Sequence, residues 1–364
     1  METFQLAIPP LRMSPFMQDD LLRSIHKSAH EQPKPLAITT TLPIWHHKDG
    51  VYQVNDSIIQ NEQFIDQIQK SIQKNHYAFI RQSYPSLSAD SPINLQLYEK
   101  LMQTLMQDDT STDSPLIDYG PKTGDFCVLD RPLYPGTKHI YKTGIDTLNL
   151  SRQHNELGYG DIWPKYISFL CITPPIPGQG ITTLSYGSTI AQTLQNQAPN
   201  LFHKLQKYGV RYIQMYLSDA TKRHECHTQG PEDYCHVAPT WRHAFGTKSL
   251  AHAVTRCKNE GGWDQVEVIE NDNIVVSRVR PVFLEIDHTT TFFNALVGFS
   301  KRPFRKVTLG NGDPFLPEEL DLIETIQQNH MIGIPYQKGD ILIVDNEKMM
   351  HGRSVRDMTK PREI

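Results

Sequence analysis

Two short histidine-bearing segments, 197 positions apart (351 − 154), constrain this chain more than any other feature. The first reads His154-Asn155-Glu156. The second runs Lys338-Gly339-Asp340-Ile341-Leu342-Ile343-Val344-Asp345-Asn346, then Met349-Met350-His351-Gly352-Arg353, and ends near Arg362. A fold that uses both segments must carry the chain away from His154 and bring it back to the same place. Strands that face each other across one barrel mouth meet that demand.

The residue types explain why the segments belong together. Two imidazoles and one carboxylate make a three-ligand face that holds Fe(II) and leaves three adjacent positions open. A bidentate 2-oxo acid fills two of these and dioxygen the third, whereas thiolates would favour zinc or a cluster. The arginine eleven positions after His351 (362 − 351) offers a planar guanidinium for the far carboxylate of a keto-acid cosubstrate. A His-x-Glu alone says little. Residues i and i+2 of any strand point to one side, so the pair also reads as two groups on a wet sheet face.

The neighbourhood of His154 adds to the case. Tyr166-Ile167-Ser168-Phe169-Leu170-Cys171-Ile172 has the character of a buried strand, and Pro174-Pro175-Ile176-Pro177-Gly178-Gln179-Gly180 signals a turn after it. Ile181-Thr182-Thr183-Leu184 follows, then a helical stretch from Ser188. In this order the motifs resemble the taurine dioxygenase family of Fe(II)/2-oxoglutarate oxygenases, relatives of clavaminate synthase. The resemblance spans roughly residues 70 to 364. It implies that His154, Glu156 and His351 hold the iron, that Thr182 touches the 2-oxoglutarate carboxylate, and that Arg362 pairs with its distal carboxylate. Asn155-Glu156-Leu157-Gly158-Tyr159, Trp163-Pro164, Trp241-Arg242-His243-Ala244-Phe245-Gly246-Thr247, Thr291-Phe292-Phe293-Asn294 and Gly310-Asn311-Gly312-Asp313-Pro314 resemble the subset that hydroxylates amino acids in natural-product assembly. Two departures stand out. Ile181 occupies the acidic position before Thr182, and Arg362 falls two residues before Ile364, on what would be a short terminal strand.

The fold expected is α+β with a mainly β core, a double-stranded β-helix or jelly roll with flanking helices. Residues 1–55 read as an irregular segment punctuated by Pro9-Pro10, Pro33 and Pro35, and 56–364 as one oxygenase domain. A large insertion between the ligand strands, at about 185–335, carries substrate contacts and a lid in this reading. Periodicity predicts one helix over Asp56–Lys74 and another over Ile93–Met106, then a polar loop at 107–114. Strands are predicted at Cys127–Leu129, Tyr166–Ile172, Val210–Met215, Val266–Ile269, Ile274–Val279, Val282–Ile286 and Ile341–Val344. Helices are predicted at Ser188–Leu194, Asn200–Tyr208, Ser249–Asn259 and Pro317–Asn329.

Candidate substrate contacts are Asn155 and Tyr159, beside the ligands, and Arg278 and Arg280 for a carboxylate. Each has a plainer reading, as a turn hydrogen bonder or a solvated strand residue. His224-Glu225-Cys226-His227 with Cys235-His236 lies close enough to bind zinc, although its spacing and Gly230-Pro231 favour an exposed loop. His46-His47 and His330 read as ordinary surface or core histidines, and Met349-Met350 as core residues.

The bulk properties exclude other classes. A net charge of −4 and a pI of about 6.5 leave no electrostatic footprint for nucleic acid or an anionic membrane. No apolar run approaches a membrane span, and Met1-Glu2-Thr3-Phe4-Gln5 lacks the basic start of a secretory signal. Five cysteines suit reduced thiols in a cytoplasmic protein. The cofactors expected are Fe(II), 2-oxoglutarate and dioxygen, and the partner is a small-molecule substrate, free or carrier-bound. The activity expected is hydroxylation with release of succinate and carbon dioxide. Desaturation or cyclisation with the same cofactors, and a non-catalytic jelly-roll binding protein, are the competing readings.

Overall fold

A computed structural model of the chain describes residues 56–81, 91–106, 133–141, 151–218, 240–302, 304–354 and 364. The segment 1–55, the polar stretch 107–114, the strand candidate at 127–129, the His/Cys cluster at 224–236 and Arg362 lie outside these residues. In chain order the strands are β1 (Tyr77–Ile80), β2 (Ser151–His154), β3 (Tyr166–Leu170), β4 (Thr182–Tyr186), β5 (Val210–Tyr216), β6 (Gln265–Ile269) and β7 (Asn273–Arg280). They continue as β8 (Phe283–Ile286), β9 (Thr289–Phe292), β10 (Arg305–Leu309), β11 (Ile332–Ile334), β12 (Ile341–Asp345) and β13 (Met349–Arg353).

The run Ile341-Leu342-Ile343-Val344 is apolar at every position because β12 is buried on both faces. It is the centre of a sheet ordered β1-β12-β3, antiparallel to both neighbours. On one face Ile341 and Ile343 join the cluster of Phe64, Ile68, Ile72 and Leu101, from the helices Glu62–Asn75 and Pro92–Met106. On the other, Leu342 and Val344 pack with Leu184, Ile334 and Met349 of a second sheet, ordered β11-β4-β13-β2. Each such side chain contributes about 1.5–3 kcal/mol on burial. The two sheets enclose an apolar interior, and residues 346–348 carry the chain from β12 in one to β13 in the other. This is a jelly-roll core.

The first expected helix is broken. Asp56–Ile59 forms one turn and Glu62–Asn75 a separate helix, with Asn61 between them in extended backbone. The Asn61 side chain accepts a hydrogen bond from the Phe64 N–H at 3.1 Å. Capping the first turn this way, worth about 1 kcal/mol, outcompetes a continuous helix through position 61.

Between β4 and β11 the chain leaves the two-sheet core. It builds a third sheet, ordered β10-β5-β7-β6, and a β8-β9 hairpin. Val210 and Tyr212 of this sheet pack with Ile190, Leu201 and Ile323 from the helices Gly187–Gln197, Pro199–Tyr208 and Pro317–Asn329. The last of these helices has the bounds predicted; the other two begin one residue earlier. At the end of this stretch β11 pairs with β4 and returns the chain to the core.

Candidate metal centre

The second sheet brings the distant segments together. β2 and β13 pair antiparallel with His154 directly opposite His351, and their rings lie 4.2 Å apart, centroid to centroid. Glu156 stands two residues past the end of β2, where the chain turns. Its Oε2 is 3.7 Å from His154 Nε2 and 3.5 Å from His351 Nε2. One donor atom from each of the three residues lies within 4.8 Å of the others. Bonds of about 2.0–2.2 Å from imidazole and carboxylate to a divalent ion put neighbouring donors about 3 Å apart, so a small inward shift closes the set. Glu156 and His351 are buried, while the His154 side chain is about a fifth exposed at 22%. The cluster is therefore reached from the His154 side.

Two local features hold the imidazoles in place. His154 Nδ1 lies 2.8 Å from the Arg152 carbonyl, which accepts its hydrogen and leaves the Nε2 lone pair facing Glu156. Phe169 of β3 lies 5.4 Å from the His351 ring and walls the interior side.

Gly352 explains how β2 comes so close. A Cβ there would lie 2.7 Å from the Ser151 carbonyl oxygen and 2.9 Å from Gln153 Nε2. Through that space the Gln153 carboxamide reaches past β13 to β4, donating to Thr183 Oγ1 at 2.5 Å and accepting from Ser185 Oγ at 2.8 Å. The sequence reading missed this glycine, although its place next to His351 is a visible signal of close backbone approach.

Asn155 and Asn346 tie the turn down. Asn155 donates to the carbonyls of Asn346 at 2.6 Å and Met349 at 3.1 Å, and accepts from the Asn294 N–H at 2.9 Å. Its side chain is fully buried and fastens the ligand turn to the β12–β13 connection, as the turn-bonding reading of this residue expects. Asn346 accepts from the Glu156 N–H at 2.7 Å and donates to the Glu156 carbonyl at 3.1 Å and the Pro164 carbonyl at 2.8 Å. It too is fully buried and was missed by the sequence reading.

Of the two adjacent threonines, Thr182 shares a face with His351. The register pairs His351 with Leu184 and Arg353 with Thr182, so these four side chains point into the sandwich. Two residues along β4 and one strand across place Thr182 about 8 Å from His351, backbone to backbone. Thr183 points to the opposite face, where it receives Gln153. Arg353, buried on the His351 face, is a guanidinium that the sequence reading did not single out.

The remaining candidates have partners within the protein. Tyr159 lies in the ligand turn with its ring 5.4 Å from Phe299 and 6.0 Å from Tyr212. Arg278 of β7 is fully buried, 3.9 Å over the Trp263 ring, and donates to the carbonyls of Gly261 and, at 3.4 Å, Tyr159. Burial, helped by the neighbouring Arg280 charge, pushes its guanidinium down to about 10. Arg280 pairs with Asp161 and, at 3.2 Å, with Asp264. The two arginines thus connect the third sheet to the segment following Glu156, not to the ligand cluster itself.

A family model described as taurine catabolism dioxygenase TauD, TfdA family matches residues 61–364. The chain belongs to that family. A clavaminate synthase-like protein of Arabidopsis thaliana is 22% identical over 221 residues, which cover 58% of this chain and 62% of the relative. The PvcB protein of Pseudomonas aeruginosa is 11% identical, with a TM-score of 0.41, 93% of this chain and 92% of that one being covered. For a putative alpha-ketoglutarate-dependent taurine dioxygenase from Burkholderia xenovorans the values are 13%, 0.41, 90% and 90%. The fold is therefore argued from this chain's own strands and registers. The TauD, TfdA family's cofactors, Fe(II), 2-oxoglutarate and dioxygen, suit a donor set of two imidazoles and one carboxylate with no thiolate. Among the described residues no helix is long and apolar enough to cross a membrane.

Proposed function

We propose that this chain is an Fe(II)- and 2-oxoglutarate-dependent dioxygenase that hydroxylates an unactivated C–H bond of an amino acid or related small molecule, free or carrier-bound. Succinate and carbon dioxide are the co-products. The observation that carries the reading is the convergence of His154, Glu156 and His351 from segments 190 residues and more apart.

In this reading the three residues are the metal ligands. With 2-oxoglutarate and dioxygen, the bound iron supplies the oxidising power. The chain supplies geometry. His154 keeps Nε2 available by donating from Nδ1 to Arg152. Glu156 occupies the third protein position, which disfavours a halogenase, where a small residue would leave room for halide. Thr182 holds one cosubstrate carboxylate and Arg362 pairs bidentately with the other. Tyr159 borders the substrate space beside the ligand turn. The third sheet and hairpin, inserted between β4 and β11, supply substrate contacts and a lid. The amino-acid class rests on the sequence resemblance around residues 155–164 and 241–247. A cytoplasmic site of action is supported by Cys171 and Cys257, both buried and neither in a disulfide.

The test is succinate release from protein reconstituted with Fe(II), 2-oxoglutarate, ascorbate and a panel of amino acids. A product heavier by one oxygen atom supports hydroxylation; loss of two hydrogens assigns desaturation or ring closure instead. Succinate release no greater than that of His351→Ala with every substrate overturns the oxygenase reading.

A further inference from the structure

We propose that Asn346 is the positioning residue for the Glu156 carboxylate, setting the affinity and geometry of the metal centre through Glu156's backbone. The inference rests on the metal reading above and goes beyond it by naming what holds the one ligand that lies outside the strands.

The three ligands are not fixed in the same way. His154 and His351 belong to neighbouring strands, so the β2–β13 ladder sets their separation. Glu156 lies beyond the end of β2, outside that ladder. Both of its peptide groups are bonded by one side chain. The Asn346 carboxamide accepts from the Glu156 N–H and donates to the Glu156 carbonyl, at 2.7 and 3.1 Å. A strand neighbour offers a residue the same pair of bonds, so the carboxamide stands in for one more rung of sheet. Its second amide hydrogen goes to Pro164, anchoring the far side of the turn at 2.8 Å.

Asn346 is itself tied to the other histidine. It sits five residues before His351 (351 − 346), at the start of the β12–β13 connection. Asn155, between His154 and Glu156, donates to the Asn346 main-chain carbonyl and to that of Met349. Each asparagine side chain therefore grips the backbone of the opposite ligand segment. The turn leaves little alternative. Leu157 has a left-handed φ of 55°, and a Cβ on Gly158 would come within 2.9 Å of Asn294. Without the carboxamide, the Glu156 N–H and carbonyl both lose a bond in a buried place, which favours a shift of the segment.

The experiment compares Asn346→Ala with wild type by anaerobic Fe(II) titration calorimetry of the apoprotein and by the absorption spectrum of the Co(II)-loaded form. The expected result is a 10- to 100-fold loss of metal affinity, the range seen when residues orienting a ligand are removed, with an altered Co(II) spectrum. A control, Ile323→Val in a buried cluster that contains none of the three ligands, corrects for simple loss of stability. Asn346→Ser, with a hydroxyl able to pair with one freed group, replaces the alanine variant if that variant fails to fold. Wild-type metal affinity and spectrum in the Asn346 variant, or a loss matched by Ile323→Val at equal thermal destabilisation, overturns the proposal. Glu156→Ala separates the two levels. Undiminished metal affinity in that variant overturns the metal reading itself, whereas loss there with no change in the Asn346 variant overturns only the positioning role.

Discussion

His154 and His351 occupy one rung of an antiparallel ladder, so a single cross-strand pair brings together imidazoles that are 197 positions apart (351 − 154). Backbone pairing, not side-chain attraction, sets their spacing. Replacing either with alanine should leave the ladder intact and remove a donor. The expected outcome is loss of metal affinity of at least about 100-fold with the thermal midpoint little changed. Calorimetric titration and circular dichroism of the two variants check this; retained affinity in either would sink the ligand assignment.

Gly352→Ala tests the close contact of β2 with β13. The added Cβ meets Ser151 and Gln153 at under 3 Å. Overpacking of this kind costs about 1–3 kcal/mol, a fall in the thermal midpoint of several degrees for a protein of this size. Because β2 carries His154, metal affinity should fall as well. An unchanged melting curve would show that the two strands adjust freely.

Thr182 and Arg362 should act on the cosubstrate alone. Thr182→Ala and Arg362→Gln are expected to raise the KM for 2-oxoglutarate about tenfold or more, the weight of one charge-assisted hydrogen bond, while Fe(II) affinity stays at the wild-type level. Thr183→Ala, on the other face of β4, should leave that KM unchanged. If Arg362→Gln is silent, Arg353, on the His351 face opposite Thr182, becomes the guanidinium to replace next.

Asp345 predicts a pH dependence of stability. Burial raises its carboxyl from 3.8 to about 6, against a smaller opposing pull from Lys348. The folded state therefore keeps a proton that the unfolded chain releases, and this contribution to stability is lost as pH rises from about 4 through about 6. Asp345→Asn keeps an oxygen to accept from the Glu347 and Lys348 N–H groups. It should gain on the order of 1 kcal/mol over wild type at pH 7, with little difference at pH 4. Urea unfolding at the two pH values measures it. Equal differences at both would refute the shifted carboxyl.

Much of the core was legible because its signals are local. Ile341–Val344 reads as a strand in the sequence and forms β12 with one more residue, and the two methionines before His351 are core residues as expected. The helix Pro317–Asn329 has its own stop and start signals. What was missed depends on partners far along the chain. The Asn346 bonds to Glu156 span 190 residues, and nothing beside Asn346 in the sequence hints at them. Asn155 read equally as a substrate contact or a turn hydrogen bonder, and its bonds to Asn346 and Met349 depend on a segment 191 residues and more away. The short strands Thr289–Phe292 and Arg305–Leu309 carry too many polar residues to read as apolar runs, and only their sheet partners make them strands. Asn61 was read as part of one continuous helix, because nothing in the periodicity showed that its side chain would cap a second one.

The long excursion between β4 and β11 has a consequence for how the protein acquires its metal. During synthesis the polypeptide presents only His154 and Glu156 of the proposed ligand set until β13 has emerged and slotted in beside β2, closing a very long loop. In that reading, metal capture by the full set reports a finished sandwich.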